Sequence, residues 1–212
     1  MERIIVFDFS GTMIHREIAE EAAKRRLKWL GKKVSKEYLR KALPKNKHYK
    51  LNKDLLKRYT GVTDDKILTV LSTDIFKIHM FAVAKEKGKK IFRKGILNAL
   101  KKLKKDNYKI AIMSGVRSDI IFGMLKITKT DNLVDYICAQ NPTLDYPNKK
   151  LLECIKGVGK IEFVIGDKLT DIGAAKRVKA KAIFLKGGHS LGGEEKKADF
   201  IIDSTKQILD II

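Results

Sequence analysis

Phe7-Asp8-Phe9-Ser10-Gly11-Thr12 closes the apolar run Arg3 to Phe7, and this junction decides how the rest of the chain is read. A short β-branched run that ends in polar residues and glycine reads as a buried parallel strand followed by a turn. In an open parallel sheet, ligands bind beyond the carboxyl ends of the strands, so Asp8 would stand where a substrate does. A carboxylate there can attack phosphorus and form an acyl phosphate, dividing one hard displacement into two easier ones. Gly11 lets the backbone turn sharply, and the Thr12 hydroxyl is available to a phosphoryl oxygen. Taken alone, the hexapeptide reads equally well as a capped turn.

Similar runs lie at Lys109 to Met113, Phe163 to Ile165, Ala182 to Leu185 and Phe200 to Ile202. Between them Ile96, Leu97, Leu100 and Leu103 share one helical face, with lysines opposite. Strand and helix therefore alternate from residue 92 onward, which predicts an α/β domain with a doubly wound parallel sheet. From His15 to Lys90 the pattern changes. Apolar residues from Ile18 to Ile78 recur at helical spacing, broken near Gly31, Pro44 and Gly61. The expectation is an inserted helical subdomain over 14–90, its aromatic residues forming its own small core, with the α/β core built from 1–13 and 91–212.

Other strand ends carry candidate chemistry. Ser114-Gly115 places a small hydroxyl and open amides after the second strand, where they could hold phosphoryl oxygens, although Ser-Gly is also an ordinary turn. Gly166-Asp167-Lys168-Leu169-Thr170-Asp171 puts two carboxylates four residues apart where strand gives way to helix. Both can face one cation, and magnesium takes hard oxygen ligands; either can equally cap the helix. Lys149 and Lys150 follow Pro147-Asn148 at the start of a helix expected over Leu151 to Ile155. An ammonium is disfavoured at a helix start by the backbone dipole, which points to an anionic partner such as Asp8 or a phosphoryl group, although the pair reads equally as two more solvated lysines of a lysine-rich chain.

The 212 residues, 44% hydrophobic with only 3 prolines, are those of a folded globular chain rather than a disordered one. No apolar run approaching the ~20 residues of a membrane helix was expected, and the opening Met1 to Phe7 lacks the pattern of a signal peptide. The expectation is a cytoplasmic protein without membrane attachment. Cys138 and Cys154 follow no metal-ligand spacing and read as buried free thiols. His15, His48, His79 and His189 show no ligand spacing either, and none is assigned a metal. Gly187 to Gly193 lacks the ending of a nucleotide-binding loop and reads as a mobile surface loop near the active face. Lys and Arg number 46 against 25 Asp and Glu, leaving +21, a field that attracts anions. Nucleic acid would benefit from it, but the lysines are spread along the whole chain, and nucleic acid is not the favoured partner.

An Asp-x-x-Gly-Thr turn after the first strand, a Ser after the second, a Lys opening a helix and Gly-Asp-x-x-x-Asp after a later strand occur here in one order. That order resembles the haloacid dehalogenase (HAD) superfamily over nearly the whole chain, including Gly173-Ala174-Ala175. The resemblance implies a Rossmann-like core with a helical cap of the C1 type inserted after the first motif, closing over the substrate and excluding water. It implies Asp8 as nucleophile, Thr12 and Ser114 as phosphate binders, and Lys149 or Lys150 as the charge neutraliser. Magnesium (Mg2+) would be held by Asp8, the Ser10 carbonyl and Asp167, with Asp171 in support. The substrate class implied is a small phosphorylated metabolite.

One position departs from the pattern. Phosphatases of this superfamily carry a second aspartate two residues after the nucleophile, as acid for the leaving group and then base for water. Here it is Ser10, whose hydroxyl is a poor proton shuttle at neutral pH. Relatives without that aspartate include dehalogenases, which need no metal and so fit Gly-Asp-x-x-x-Asp poorly, and phosphonoacetaldehyde hydrolases, which need a cap lysine that the pattern does not single out. A basic polyanion-binding protein on a degraded core is the remaining alternative. Substrate identity and oligomeric state are not legible.

Overall fold

The computed structural model describes residues 1–42, 47–140, 148–190, 192–193 and 195–212, with backbone alone at 40, 42, 47–49, 140 and 148–151. The chain divides into two units, Met1–Arg16 with Lys89–Ile212, and Glu17–Gly88.

The first unit is built on β1 (Glu2–Asp8), whose Ile4, Ile5, Val6 and Phe7 are all fully buried. A strand covered on both faces needs no polar alternation, which is why the run is continuously apolar. After the helical unit come α5 (Ile96–Lys105), β2 (Tyr108–Arg117), α6 (Ser118–Ile127), β3 (Tyr136–Gln140), β4 (Gly159–Gly166), α7 (Leu169–Arg177), β5 (Lys181–Leu185), β6 (Phe200–Ile202) and α8 (Ile208–Ile211), the α-helices being numbered after the four of the second unit. The six strands pair in parallel in the order β3-β2-β1-β4-β5-β6, the doubly wound arrangement expected. Asp8 pairs with Met113 on one side, while Phe7 pairs with Ile165 on the other, so the ends of β1 and β4 lie level, and β2 continues beyond them to Arg117.

Three local readings are corrected. The strand β3 was not anticipated: it is only five residues long, at the edge of the sheet, and contains Cys138 and Gln140. The segment after it is not an α-helix over Leu151 to Ile155 but a 3₁₀ turn, Asn148–Ile155. Leu152 and Ile155 of this turn pack into the cluster that holds Cys138, Val6 and Ala111. That packing brings Cys154 to a Cα separation of 5.8 Å from Cys138, and the two form a disulfide instead of free thiols. A sequence separation of 16 disguises the pairing.

The second unit contains α1 (Arg16–Trp29), α2 (Lys36–Ala42), α3 (Lys47–Thr60) and α4 (Asp65–Lys87). Gly31 and Gly61 take positive φ just after α1 and α3, as breaks; Pro44 lies outside the described residues. Leu30, Leu56 and Leu68 form its small core. Phe76 is buried beneath the Arg26 guanidinium, but Trp29 and Tyr59 are about two-thirds exposed, so the aromatic residues are not uniformly core. Length and composition alone would let the stretch Asp65–Ile91 cross a membrane, contrary to the expectation that no run was long enough. Leu68, Ser72, Phe76, Met80 and Val83 nevertheless form a buried stripe at helical spacing, with Asp74 and Lys77 in mid-helix, the pattern of a helix packed in a bundle.

Candidate active site

The order of the sheet reverses between β1 and β4, and ligands of open α/β sheets bind in the crevice at such a point. Asp8 ends β1 and Asp167 is the first residue after β4, so the fold sets the two carboxylates on either side of the crevice. Asp171 follows in the first turn of α7. All three are buried, and one carboxylate oxygen from each lies within 4.8 Å of the others.

Their electrostatics follow from that crowding. Burial, first of all, pushes the Asp8 carboxyl well above its ordinary 3.8; the Lys168 ammonium opposes this, and the Asp171 and Asp167 charges add to it. Burial likewise raises Asp171 to about 6, again against Lys168. Asp171 Oδ2 accepts the backbone N–H groups of Asp167 and Lys168 at 3.1 and 3.0 Å, so it does cap the start of α7. Among the described residues, Asp8 Oδ2, Asp167 Oδ1 and Thr12 Oγ1 are buried without a hydrogen-bond partner. A buried carboxylate oxygen without a donor is costly, and two grouped carboxylates that each carry one are the hard, anionic donor set that a magnesium ion takes. The residues fit the metal.

The turn after β1 is shaped by its neighbours. Gly11 has φ of +99°, and a Cβ there would lie 3.0 Å from Asp167 Cγ and 2.8 Å from His189 Cδ2. Only glycine allows this approach. Ser114 is buried in β2, pairs with Ala139 and accepts the Val116 N–H at 3.1 Å; β2 continues past it to Arg117, so it is not the strand's last residue. Lys149 and Lys150 open the 3₁₀ turn, and their side chains lie outside the described residues. Among the described residues, the lysine whose charge acts on Asp8 and Asp171 is Lys168, which sequence reasoning passed over because it stands between the motif carboxylates.

A second missed residue is His189. The surface loop expected after β5 does lie near the active face, and its Gly188 and His189 are tied into the site. Gly188 is buried, the His189 N–H donates to Asp167 Oδ2, and His189 Nε2 lies 3.2 Å from Ser10 Oγ. No motif signals this imidazole. The pairing exists only because β5 lies beside β4, one strand from β1.

A family model described as haloacid dehalogenase-like hydrolase matches residues 5–185. No curated relative matches the sequence. Among solved structures, a predicted phosphoglycolate phosphatase of Haemophilus somnus superposes with a TM-score of 0.74 at 18% identity, covering 99% of this chain and 97% of that one. CbbY of Rhodobacter sphaeroides, solved in complex with xylulose-(1,5)bisphosphate, gives 0.73 at 17% identity, covering 98% and 96%. A β-phosphoglucomutase of Clostridium difficile gives 0.68 at 17% identity, covering 98% and 93%.

Proposed function

The chain belongs to the haloacid dehalogenase-like hydrolases, and from that premise we propose that it is a magnesium-dependent phosphatase of small phosphorylated metabolites, working through an aspartyl-phosphate on Asp8. The observation that carries this reading is the pair of unpartnered, buried carboxylate oxygens on Asp8 and Asp167, at the point where the sheet reverses.

In the first step an Asp8 oxygen bonds to phosphorus, the ester P–O bond breaks, and the leaving alkoxide takes a proton. Water then attacks phosphorus, gives up a proton, releases phosphate and frees the Asp8 carboxylate. Asp8, Asp167 and the Ser10 carbonyl would hold magnesium, with Asp171 fixing the turn that presents Asp167. Bound there, the ion supplies positive charge against the phosphoryl oxygens and the nucleophile. Thr12 and Ser114 offer hydroxyls to those oxygens, and Lys168, with Lys149 or Lys150, offers further positive charge. The proton traffic falls to Ser10 and His189 together. Histidine is the side chain that gives and takes protons near neutral pH, and the 3.2 Å contact puts it beside the position where related phosphatases carry their second aspartate.

The test is a screen of phosphorylated metabolites with and without magnesium, followed by variants on the best substrate. His189→Asn should lower kcat by roughly 10²-fold, the ordinary worth of a proton-transfer group, and Ser10→Asp placed on top should restore part of it. Full activity after EDTA treatment would remove the metal from the reading. An inert Ser10→Asp together with a fully active His189→Asn would remove the assigned proton route.

A further inference from the structure

His189 sits at the end of a segment with no secondary structure of its own, so something else must hold it on target. Two arginines do. The Arg93 Nη1 donates to the Gly11 carbonyl at 2.8 Å and its Nη2 to the Lys186 carbonyl at 2.9 Å. One planar guanidinium thus bridges the turn after β1 and the segment after β5, across the end of β4 where Asp167 lies. Arg16 Nη1 donates to the Gly188 carbonyl at 2.8 Å, one residue before His189. Arg93 is itself anchored, since its N–H donates to the Met13 carbonyl at 2.9 Å beside the Ile14–Phe92 bridge.

We propose that Arg93 and Arg16 are positioning residues, a strap that holds Lys186–His189 over the crevice so that His189 meets Asp167 through its backbone and Ser10 through its ring. The proposal rests on the phosphatase reading above. The guanidinium suits this duty because its fork fixes two acceptors in one plane, whereas an ammonium is a point charge on a flexible stem. Neither arginine needs to touch the substrate.

The experiment is a double-mutant cycle on hydrolysis of p-nitrophenyl phosphate with saturating magnesium, together with hydrogen exchange of the His189 amide in metal-free protein. Arg93→Met should lower kcat roughly tenfold or more while KM moves less than about twofold, because misplacement by an ångström slows chemistry more than it weakens binding. In a His189→Asn background the same change should cost less than about twofold, since a strap matters only through what it holds. The His189 amide should lose protection in Arg93→Met. Equal losses in both backgrounds, a loss carried wholly by KM, or an unchanged His189 amide would each overturn the strap. Should Arg93→Met fail to fold, Arg16→Met, which cuts only the Gly188 tie, goes through the same cycle. Asp8→Asn is the control for the underlying reading: if it keeps wild-type turnover, that reading falls. If it is inactive and the cycle is additive, only the strap falls.

Discussion

Substituting Gly188 with alanine places one methyl group against the carboxylate of Asp167. The added Cβ would lie 2.5 Å from both Cβ and Cγ of Asp167, nearer still to Oδ2, where ordinary contact begins at 3.4 Å. The difference, 3.4 minus 2.5, means that about 1 Å or more of movement must be found between the segment after β5 and Asp167. Such a shift should cost roughly 10²-fold in turnover if Asp167 and His189 act in the reaction. Overpacking also costs stability, about 1–3 kcal/mol, or roughly 2–12 °C in Tm for a chain of this size. The control is Gly159→Ala, at the start of β4. Its Cβ would meet Glu2 Cβ at 2.9 Å and the Glu2 carbonyl carbon at 3.0 Å, nearer still to the carbonyl oxygen, a comparable collision at the far end of the strand. The length of β4 separates it from the site, roughly 26 Å at the strand rise of about 3.3 Å per residue. Both variants should therefore lose stability by calorimetry, but only Gly188→Ala should lose kcat and magnesium affinity. If Gly188→Ala turns over p-nitrophenyl phosphate like wild type, or if Gly159→Ala loses as much activity, the placement of Gly188 against a working carboxylate is refuted.

Asp8→Asn should abolish turnover, by about 10³-fold or more, without lowering Tm, because burial already penalises the charged form that the amide replaces; a folded variant with most of its activity would rule out Asp8 as nucleophile. Asp171→Ala strips the acceptor from one buried and one half-buried N–H group and should cost about 1–3 kcal/mol, whereas Asp171→Asn keeps an acceptor oxygen and should hold near wild-type Tm. Equal Tm losses for the two Asp171 variants would argue against the cap. The third concerns pH. Asp171 is raised to about 6 from 3.8, so the folded protein keeps a proton that the unfolded chain has lost, and this stabilising contribution is full below about pH 4 and is lost as pH rises through 6. Asp8 is shifted in the same direction. A cation must displace these protons, so the Tm gain on adding magnesium should be larger at about pH 7.5 than at about pH 5; equal gains would mean that the ion binds elsewhere.

Much of this was legible in the sequence for identifiable reasons. The continuous apolar runs announce strands buried on both faces, and Asp8 and Asp167 are legible because they terminate such runs, where the sheet geometry leaves little choice of location. Asp171 was readable as either cap or ligand; its bonds to the Asp167 and Lys168 amides give it the first duty while leaving it among the grouped carboxylates. The disulfide was illegible because it joins an edge strand to a 3₁₀ turn, neither of which has a strong periodic signal. Trp29 and Tyr59 misled for the opposite reason: periodicity puts a residue on a helix face but does not say whether anything covers that face.

The residue proposed here for proton transfer was the least visible. Ser10 looked like a lesion when judged along the chain, since its neighbours offer no proton carrier. Its partner is 179 residues away and arrives by topology: β5 pairs with β4, β4 with β1, and the chain leaving β5 is drawn back by Arg93 onto the turn that carries Ser10. A motif read as a local string cannot contain such a group, because the spacing from Ser10 to His189 is set by sheet order and not by helical or strand period. What looked like a missing acid can thus be a function relocated from one carboxylate to a hydrogen-bonded pair, at the expense of an extra device, the arginine strap, to keep the distant half in place.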